Sequence, residues 1–170
     1  SNVAWGTPAT LYLGTNTNTW GYKTWVERHD GDEKVNEQIR RMAKVVSQGG
    51  NYRLNVGPKS DGTIIDYEIE VLKKMGDWMK VNGQAIYGTE PTPFKYLEFG
   101  YCKQKPGELF LFVDKGPKDG KLVVPGLRNN AVKAHALADG SDLKVNPTGD
   151  GLVISFPQKP IDDRLTVIAI

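Results

Sequence analysis

The chain has 170 residues, of which 39% are hydrophobic and 25% are charged, and its formal net charge is +2. These values are typical of a globular protein of one or two domains. The basic residues are dispersed among acidic ones, which excludes the clustered basic face of a nucleic-acid-binding protein. No apolar run approaches the roughly 20 residues that span a bilayer, so we expect no membrane partner. The single cysteine, Cys102, excludes an internal disulfide and a cysteine-based zinc site.

The first half of the chain alternates predicted strands and helices. Ala9–Leu13 is predicted as a strand, and after a long connection Asp30 and Glu33 form the capping box that begins a helix. The buried face of this helix carries four apolar residues at helical spacing, namely Val35, Ile39, Met42 and Val46. Gly49 and Gly50 end the helix, because glycine accepts the left-handed conformation that a helix terminus often needs.

A second strand and a second helix follow. Tyr52–Val56 is predicted as a strand, and the helix is predicted over Tyr67–Val81. The charged residues of this helix occupy one narrow arc, and the rest of its surface is apolar. So wide an apolar face needs a large partner, which two short helices and one strand cannot supply. We therefore expect this half to pack onto structure that is absent from the chain or greatly reduced in it.

The order of these elements gives two consecutive βα units. Such units indicate a parallel sheet or a (β/α) barrel, whose chemistry lies in the loops that leave the carboxyl ends of the strands. We therefore expect any functional residue of this half within Gly14–His29 or Gly57–Ile65.

After residue 93 the apolar residues follow a period of two. Short strands separated by turn clusters indicate an antiparallel β-sandwich. The predicted strands are Tyr96–Phe99, Leu109–Val113, Lys121–Val124, Val132–Leu137, Leu143–Val145, Leu152–Phe156 and Leu165–Ile170. The phenylalanines of these strands that are predicted to lie in the core are Phe110, Phe112 and Phe156. The fold class is therefore α/β followed by all-β, with a boundary near Phe94 that divides residues 1–93 from residues 94–170.

Several short motifs occur in a recognisable order. In the first half these are TWGYK at 19–23, GGNYRLNVGP at 49–58, DGT at 61–63 and NGQAIYGT at 82–89. Together they resemble the end of the catalytic barrel of the family 29 glycoside hydrolases, the retaining α-L-fucosidases. In the second half, DGKL at 119–122 and ADG at 138–140 resemble the sandwich that follows the barrel in that family. The order and spacing of the motifs carry the resemblance, since each motif alone is only a turn signal with aromatic residues.

This resemblance implies the terminal βα units of a (β/α)8-type barrel, a C-terminal β-sandwich, and a part of a retaining exo-α-L-fucosidase. In that family an aspartate attacks the anomeric carbon and a second carboxylate protonates the leaving group, and retaining enzymes hold the two about 5–5.5 Å apart. The resemblance places the nucleophile upstream of Ser1, so we expect no catalytic residue in the chain and no activity from the chain alone. Some members carry an acidic residue directly after a tryptophan at the place of Trp5. This position is Gly6 here, so the proton donor either lies elsewhere upstream or has been lost.

Of the functional positions of that family, the one best matched in this sequence is that of Trp20. Members of the family place an aromatic residue here against the C5 methyl group of fucose, and burial of that methyl group on an aromatic surface is favourable. The alternative is that Trp20 packs within its own loop. Tyr22 and Trp25 share the loop and are further candidates for the rim of a sugar site, with loop packing as the alternative. Asn55 either points into the site or makes a structural hydrogen bond, and we favour the hydrogen bond.

Other polar residues are better explained by local structure. Asp61 is expected to close its own turn, and Asp32 and Glu33 are expected to be helix-start acids. His29 and His135 lie in different halves of the chain, whereas a metal site needs several converging ligands. We therefore expect no metal and no cofactor.

The same resemblance implies the partners and the location. The partners are a fucosylated glycan and the rest of the catalytic barrel, and the location is extracellular or periplasmic, or lysosomal if the protein is eukaryotic. The absence of N-x-S/T sequons favours an exported bacterial protein. The alternative function is that of a non-catalytic carbohydrate-binding protein or a pseudo-enzyme. Gly6 supports this alternative, and the lack of a row of exposed aromatic residues in the predicted sandwich opposes it.

Overall fold

The computed structural model describes residues 5–11, 20–25, 28, 30–127 and 133–170. The helices in these residues are α1 (Gly31–Ser47) and α2 (Asp66–Asn82), followed by a 3-10 turn at Gly83–Ala85. The strands are β1 (Gly6–Thr10), β2 (Asn51–Asn55), β3 (Gly100–Lys105), β4 (Glu108–Val113), β5 (Lys121–Pro125), β6 (Ala134–Ala136), β7 (Asp142–Leu143), β8 (Val145–Thr148), β9 (Gly151–Ser155) and β10 (Thr166–Ala169).

Strands β1 and β2 pair in parallel, and α1 connects them. The register runs from Gly6 opposite Asn51 to Thr10 opposite Asn55, so the carboxyl ends of both strands meet at one edge. This arrangement confirms the predicted βα order with parallel pairing. A functional site is therefore expected in the loops that leave this edge.

The first strand begins earlier than the predicted Ala9–Leu13. It includes Pro8, which lacks a backbone N–H but fits a strand that pairs on one side only among the described residues. The ladder continues one step beyond β1, where the Leu11 N–H donates to the Asn55 carbonyl at 3.3 Å. Residues 12 and 13 of the predicted strand lie outside the described residues.

The ends of α1 follow the sequence signals. The Asp30 carboxylate accepts hydrogen bonds from the N–H groups of Asp32 at 3.0 Å and Glu33 at 3.1 Å, which confirms Asp30 as the N-cap. At the other end Gly49 adopts a left-handed φ of 84°, and its N–H donates to the Val46 carbonyl at 3.1 Å.

The second half consists of two antiparallel sheets. One has five strands in the order β3-β4-β10-β6-β7, and the other has three in the order β5-β9-β8. Cys102, Leu111, Leu122, Leu152 and Ile168 belong to the apolar core that includes residues of both sheets. This architecture confirms the predicted antiparallel strands with an apolar core.

A second core joins the five-stranded sheet to the helices. It contains Phe110 and Phe112 of β4 together with residues of α1 and α2, whereas the alternate residue of the same strand, Leu111, belongs to the core shared with the other sheet. Strand β4 is therefore buried on both faces, which explains its continuous apolar run. Phe110, Phe112 and Phe156 are all buried, as predicted.

The expectation that α2 packs onto absent structure is wrong for most of its apolar face. Val71, Met75 and Trp78 are buried in the core that also contains Phe110 and Leu165 of the second half. The sequence pattern missed this because β4 presents an apolar surface on both sides, so the sandwich itself provides the partner. The boundary near Phe94 stays a prediction, since the helices and the five-stranded sheet share this core.

Two strand predictions are also corrected. Tyr96–Phe99 is not a strand, because Leu97 and Phe99 are buried as part of a loop and the ladder with β4 begins at Gly100. The predicted Leu143–Val145 strand is divided between β7 and β8, which belong to different sheets. In both places apolar residues are spaced as in a strand, but the chain turns at residues 98–99 in the first and passes from one sheet to the other after Leu143 in the second.

Candidate functional site

Two loops meet at the carboxyl edge of β1 and β2. We name residues 20–25 the Trp20 loop and residues 57–65 the Gly57 loop. They are joined through Asn55, whose Nδ2 donates to the Trp20 carbonyl at 2.9 Å, and through the Tyr22 N–H, which donates to the Pro58 carbonyl at 3.2 Å. These hydrogen bonds place the Trp20 backbone at the ends of both strands, where the βα order predicts a functional site.

The two loops also pack backbone against backbone at Gly57. A Cβ atom built on Gly57 would lie 2.9 Å from the Tyr22 nitrogen and 3.0 Å from the Gly21 carbonyl carbon. Real Cβ atoms essentially never come as close to a heavy atom as the first of these separations, and the second is also unusually short, so a residue other than glycine would force the two backbones apart.

A buried carboxylate lies beside this contact. Glu68, in the first turn of α2, is fully buried, and its Oε2 accepts a hydrogen bond from the Gly57 N–H at 2.9 Å. Burial raises the pKa of Glu68, and the Gly57 N–H opposes this shift because it stabilises the ionised form.

The aromatic residues of the Trp20 loop differ in their surroundings. Trp20 is 58% exposed and Trp25 is 71% exposed, so neither indole is sealed in the core of the described residues. Two cations lie near the Tyr22 ring, with the Arg28 guanidinium 5.0 Å and the Lys59 ammonium 5.9 Å from its centroid. The loop therefore presents accessible aromatic surface next to a partly buried tyrosine.

The predicted site residues divide as follows. Trp20, Tyr22 and Asn55 come together, and the Asn55 amide makes the structural hydrogen bond that the sequence analysis favoured. Trp25 belongs to the same loop and is exposed. Whether any of these side chains contacts a sugar stays a prediction.

Gly6 lies at the other end of the sheet. It begins β1, about 13 Å along the strand from Thr10 at the usual rise per residue. A side chain at position 6 would therefore lie far from the Trp20 loop, beside the Asn51 carbonyl, which is 3.2 Å from an ideal Cβ.

The acids with local explanations behave as expected. Asp61 accepts hydrogen bonds from the Thr63 N–H at 2.9 Å and its hydroxyl at 2.7 Å, which lower the pKa of Asp61 and close the turn. Asp32 accepts from Arg164 and Lys74, outside the Trp20 site. His29 lies outside the described residues.

Sequence reasoning missed Gly57 and Glu68. The sequence around Gly57 predicts only the end of a strand followed by a proline. The neighbouring residues do not indicate a contact with residues 21 and 22. Glu68 did carry a signal, because it lies three and seven residues before Val71 and Met75, on the apolar rather than the charged face of α2.

Across the described ranges, no three His, Cys, Asp or Glu side chains converge as a metal site would require. The helices of these ranges are too short or too polar to cross a membrane. A cavity of about 570 Å³ lies between the end of α1 and the segment 91–102, and none of its lining residues belongs to the Trp20 or Gly57 loops.

Comparisons with known proteins point in one direction. The family model described as alpha-L-fucosidase matches residues 7–84. The tissue alpha-L-fucosidase of Bos taurus is 33% identical over 148 residues, which cover 84% of this chain and 31% of that protein. The chain therefore spans about a third of the length of this curated relative.

Solved structures agree with the sequence matches. The alpha-L-fucosidase isoenzyme 1 from Paenibacillus thiaminolyticus superposes with a TM-score of 0.84 at 28% identity, covering 98% of this chain and 39% of that one. A GH29 alpha-L-fucosidase from Bacteroides thetaiotaomicron, solved as a trapped covalent intermediate with 2-fluoro-fucosyl fluoride, gives a TM-score of 0.78 at 26% identity, with 98% and 38% coverage.

Proposed function

Because the chain belongs to the α-L-fucosidase family and corresponds to a C-terminal portion of its members, we propose that it forms part of a retaining exo-α-L-fucosidase. Such an enzyme releases terminal α-L-fucose from glycans. The observation that carries the proposal is the family match over residues 7–84, which includes the Trp20 and Gly57 loops. The rest of the (β/α)8-type barrel is then the structural partner of the β1–β2 pair.

The Trp20 indole is proposed to form one wall of the fucose site. It lies at the carboxyl edge of a parallel strand pair and is 58% exposed, so a sugar can reach it. Fucose is a deoxy sugar whose C5 methyl group is apolar, and contact with an aromatic face buries that methyl group. Tyr22 and Trp25 are proposed to line the rim, and Asn55 to hold the loop.

The catalytic carboxylates are proposed to come from outside this chain. The relative trapped as a covalent intermediate supports a double displacement, in which one carboxylate attacks the anomeric carbon and another protonates the leaving oxygen. In the second step the latter group removes a proton from water, and the water oxygen attacks the anomeric carbon and displaces the first carboxylate, so that fucose is released with retained configuration. Bond making and breaking at one carbon thus require two carboxylates about 5–5.5 Å apart, as in other retaining glycosidases.

The proposal is tested by the hydrolysis of an aryl α-L-fucoside. The 170-residue chain should release no phenol, whereas the complete-barrel protein, which is this chain extended at its amino terminus to the length of its relatives, should turn the substrate over. The β-anomer of the same fucoside serves as the control. Turnover by the 170-residue chain, or none by the complete-barrel protein, would contradict the proposal.

The alternative is carbohydrate binding without catalysis. Its support was Gly6, but that residue lies at the opposite end of β1 from the Trp20 loop, so its lack of a carboxylate says little about chemistry at the site. A complete-barrel protein that binds L-fucose in calorimetry but never hydrolyses the fucoside would establish the alternative. Since named relatives include tissue and plasma fucosidases, we propose a lysosomal or extracytoplasmic location.

A further inference from the structure

Glu68 is a charged residue in an unusual place. Acids of a first helical turn favour the positive end of the helix dipole and are ordinarily exposed, yet Glu68 is fully buried at the start of α2. Removing a carboxylate from water is costly unless hydrogen bonds replace the lost solvation. Part of that replacement is the Gly57 N–H, which donates to Oε2 at 2.9 Å.

We propose that Glu68 is a positioning residue of the fucose site, which acts through Gly57 on the loop that carries Trp20. The inference rests on the proposed function, because it concerns how the sugar-contacting indole is held. Glu68 itself is too deeply buried to touch a ligand, so it is not a catalytic residue.

Glu68 holds the backbone of Gly57 through the hydrogen bond to its N–H. Gly57 follows β2 by two residues and is itself buried, so its N–H needs an acceptor within the protein. A carboxylate is a stronger acceptor than a neutral group. Glu68 therefore fixes the point at which the chain leaves the strand.

Gly57 in turn contacts the Trp20 loop. The missing side chain of Gly57 lets its backbone lie against Gly21 and Tyr22, with ideal Cβ separations of 2.9 to 3.1 Å. The next residue, Pro58, accepts a hydrogen bond from the Tyr22 N–H at 3.2 Å. A shift of Gly57 would therefore shift residues 21 and 22.

Trp20 lies directly beside this contact. Its backbone precedes Gly21 directly, and its carbonyl accepts from Asn55, two residues before Gly57. The Trp20 backbone is thus held by the segment 55–58, and that segment is held by Glu68. Displacing a substrate-positioning group by about 1 Å can cost an enzyme on the order of 100-fold in rate.

The test compares two variants of nearly equal size in the complete-barrel protein. Glu68→Gln keeps an oxygen that accepts from the Gly57 N–H, whereas Glu68→Leu removes the acceptor and fills the same space. Glu68→Leu leaves the buried Gly57 N–H without this acceptor, so we expect a lower Tm, but the leucine fills the space of the glutamate and the variant is expected to fold. Glu68→Ala repeats the test if the leucine variant does not.

The measurements are kcat and KM for an aryl α-L-fucoside, the inhibition constant of L-fucose, and Tm. We expect Glu68→Leu to raise KM and the inhibition constant about tenfold, the size of effect that loss of one hydrogen bond to a charged group produces. Glu68→Gln should stay within about threefold of the parent on the same scale.

Val71→Ala is the matched control, because this residue lies on the same face of α2 and is 1% exposed, but belongs to the apolar core rather than to the loop contact. It should lower Tm without changing KM. Equal KM values for Glu68→Leu and Glu68→Gln would overturn the inference. A rise in KM for Val71→Ala in proportion to its loss of Tm would also overturn it, because KM would then follow stability alone. An inactive parent would instead refute the proposed function, and the inference with it.

Discussion

The side-chain amide of Asn55 donates a hydrogen bond to the backbone carbonyl of Trp20 across 35 residues of sequence. This bond joins the end of β2 to a loop that follows β1, and it fixes the backbone of Trp20 while leaving the indole 58% exposed. An exposed indole on an anchored backbone is a suitable wall for a small sugar, because binding then costs little additional ordering.

Replacing the indole should weaken fucose binding. In the complete-barrel protein, Trp20→Ala is expected to cost about 1–3 kcal/mol of binding, from the apolar contact that it removes. The inhibition constant of L-fucose measures this directly. Tyr87→Ala is the control, because Tyr87 is also an exposed aromatic residue, at 70% against 58% for Trp20, and lies outside both loops. An unchanged inhibition constant for Trp20→Ala would remove Trp20 from the site.

The Asn55 hydrogen bond can be tested with a matched pair of variants. Asn55→Asp replaces the donor by a carboxylate oxygen facing the Trp20 carbonyl, and should raise KM by about five- to tenfold, as loss of one hydrogen bond would. Asn51 makes a similar bond at the other end of the same strand, to the Trp5 carbonyl at 3.2 Å. Asn51→Asp should therefore leave KM unchanged. Equal effects of the two variants would show that only strand stability is involved.

The contact at Gly57 gives a prediction based on sterics alone. Gly57→Ala places a methyl group 2.9 Å from the Tyr22 nitrogen, so the two loops must separate. We expect a loss of Tm together with a rise in KM, because the displaced residues adjoin Trp20. Gly21→Ala, in the facing loop, meets no heavy atom within 4 Å and is the control. A normal KM for Gly57→Ala would show that the loops can separate without moving the indole.

The sequence predicted the parts of this fold that depend on local signals. Asp30 and Gly49 mark the ends of α1 because capping needs only nearby groups. The βα order predicted the edge at which Trp20 and Asn55 meet. The identity of the family came from motifs, whose order does not depend on any knowledge of packing.

The features that escaped prediction depend on contacts between distant segments. The approach of Gly57 to residues 21 and 22 requires two loops 35 residues apart to meet. The burial of α2 against β4 requires a strand with two apolar faces, whereas period-two reasoning assigns only one. Local periodicity contains no information on which layer a surface will face, so the partner of α2 could not be derived from it.

An ion pair between the two halves should make stability depend on pH. Arg164, in the loop before β10, donates to Asp32 at 2.9 Å, and this hydrogen bond with that of Lys74 lowers the pKa of Asp32. A carboxyl group whose pKa is lowered by folding stabilises the fold above its unfolded pKa of about 3.9, and this contribution is lost as pH falls through the lower folded value.

Asp32→Asn should therefore lower the stability of the chain at pH 7 but not at a pH below the folded pKa of Asp32. Because Asp32 is exposed, we expect the loss of Tm at pH 7 to be small. It is measured as the difference in Tm between the variant and the parent, at pH 7 and again at the lower pH. Arg164→Met should reproduce most of it and Lys74→Met less, since the Arg164 hydrogen bond is the larger cause. A difference in Tm that is equal at both pH values would contradict the ion-pair explanation.

The buried indole of Trp78 provides the strongest test of the shared core. Its Nε1 donates to the Leu165 carbonyl at 3.1 Å, which connects α2 to the segment that enters β10. Trp78→Phe removes this donor and leaves a buried carbonyl unpaired, so we expect a loss of about 1–3 kcal/mol in the free energy of unfolding. Met75→Leu, on the same face of α2, is the control, and such a volume-conserving change usually costs less than about 1.5 kcal/mol.

The Trp78 indole belongs to a core built from both halves. Urea unfolding followed by far-UV circular dichroism and by tryptophan fluorescence should therefore give coincident transitions in the parent and in Met75→Leu, which both keep this indole. Trp78→Phe lacks the buried fluorophore, so its unfolding is followed by circular dichroism alone. Separate transitions for the two probes in the parent would show that the two halves unfold independently.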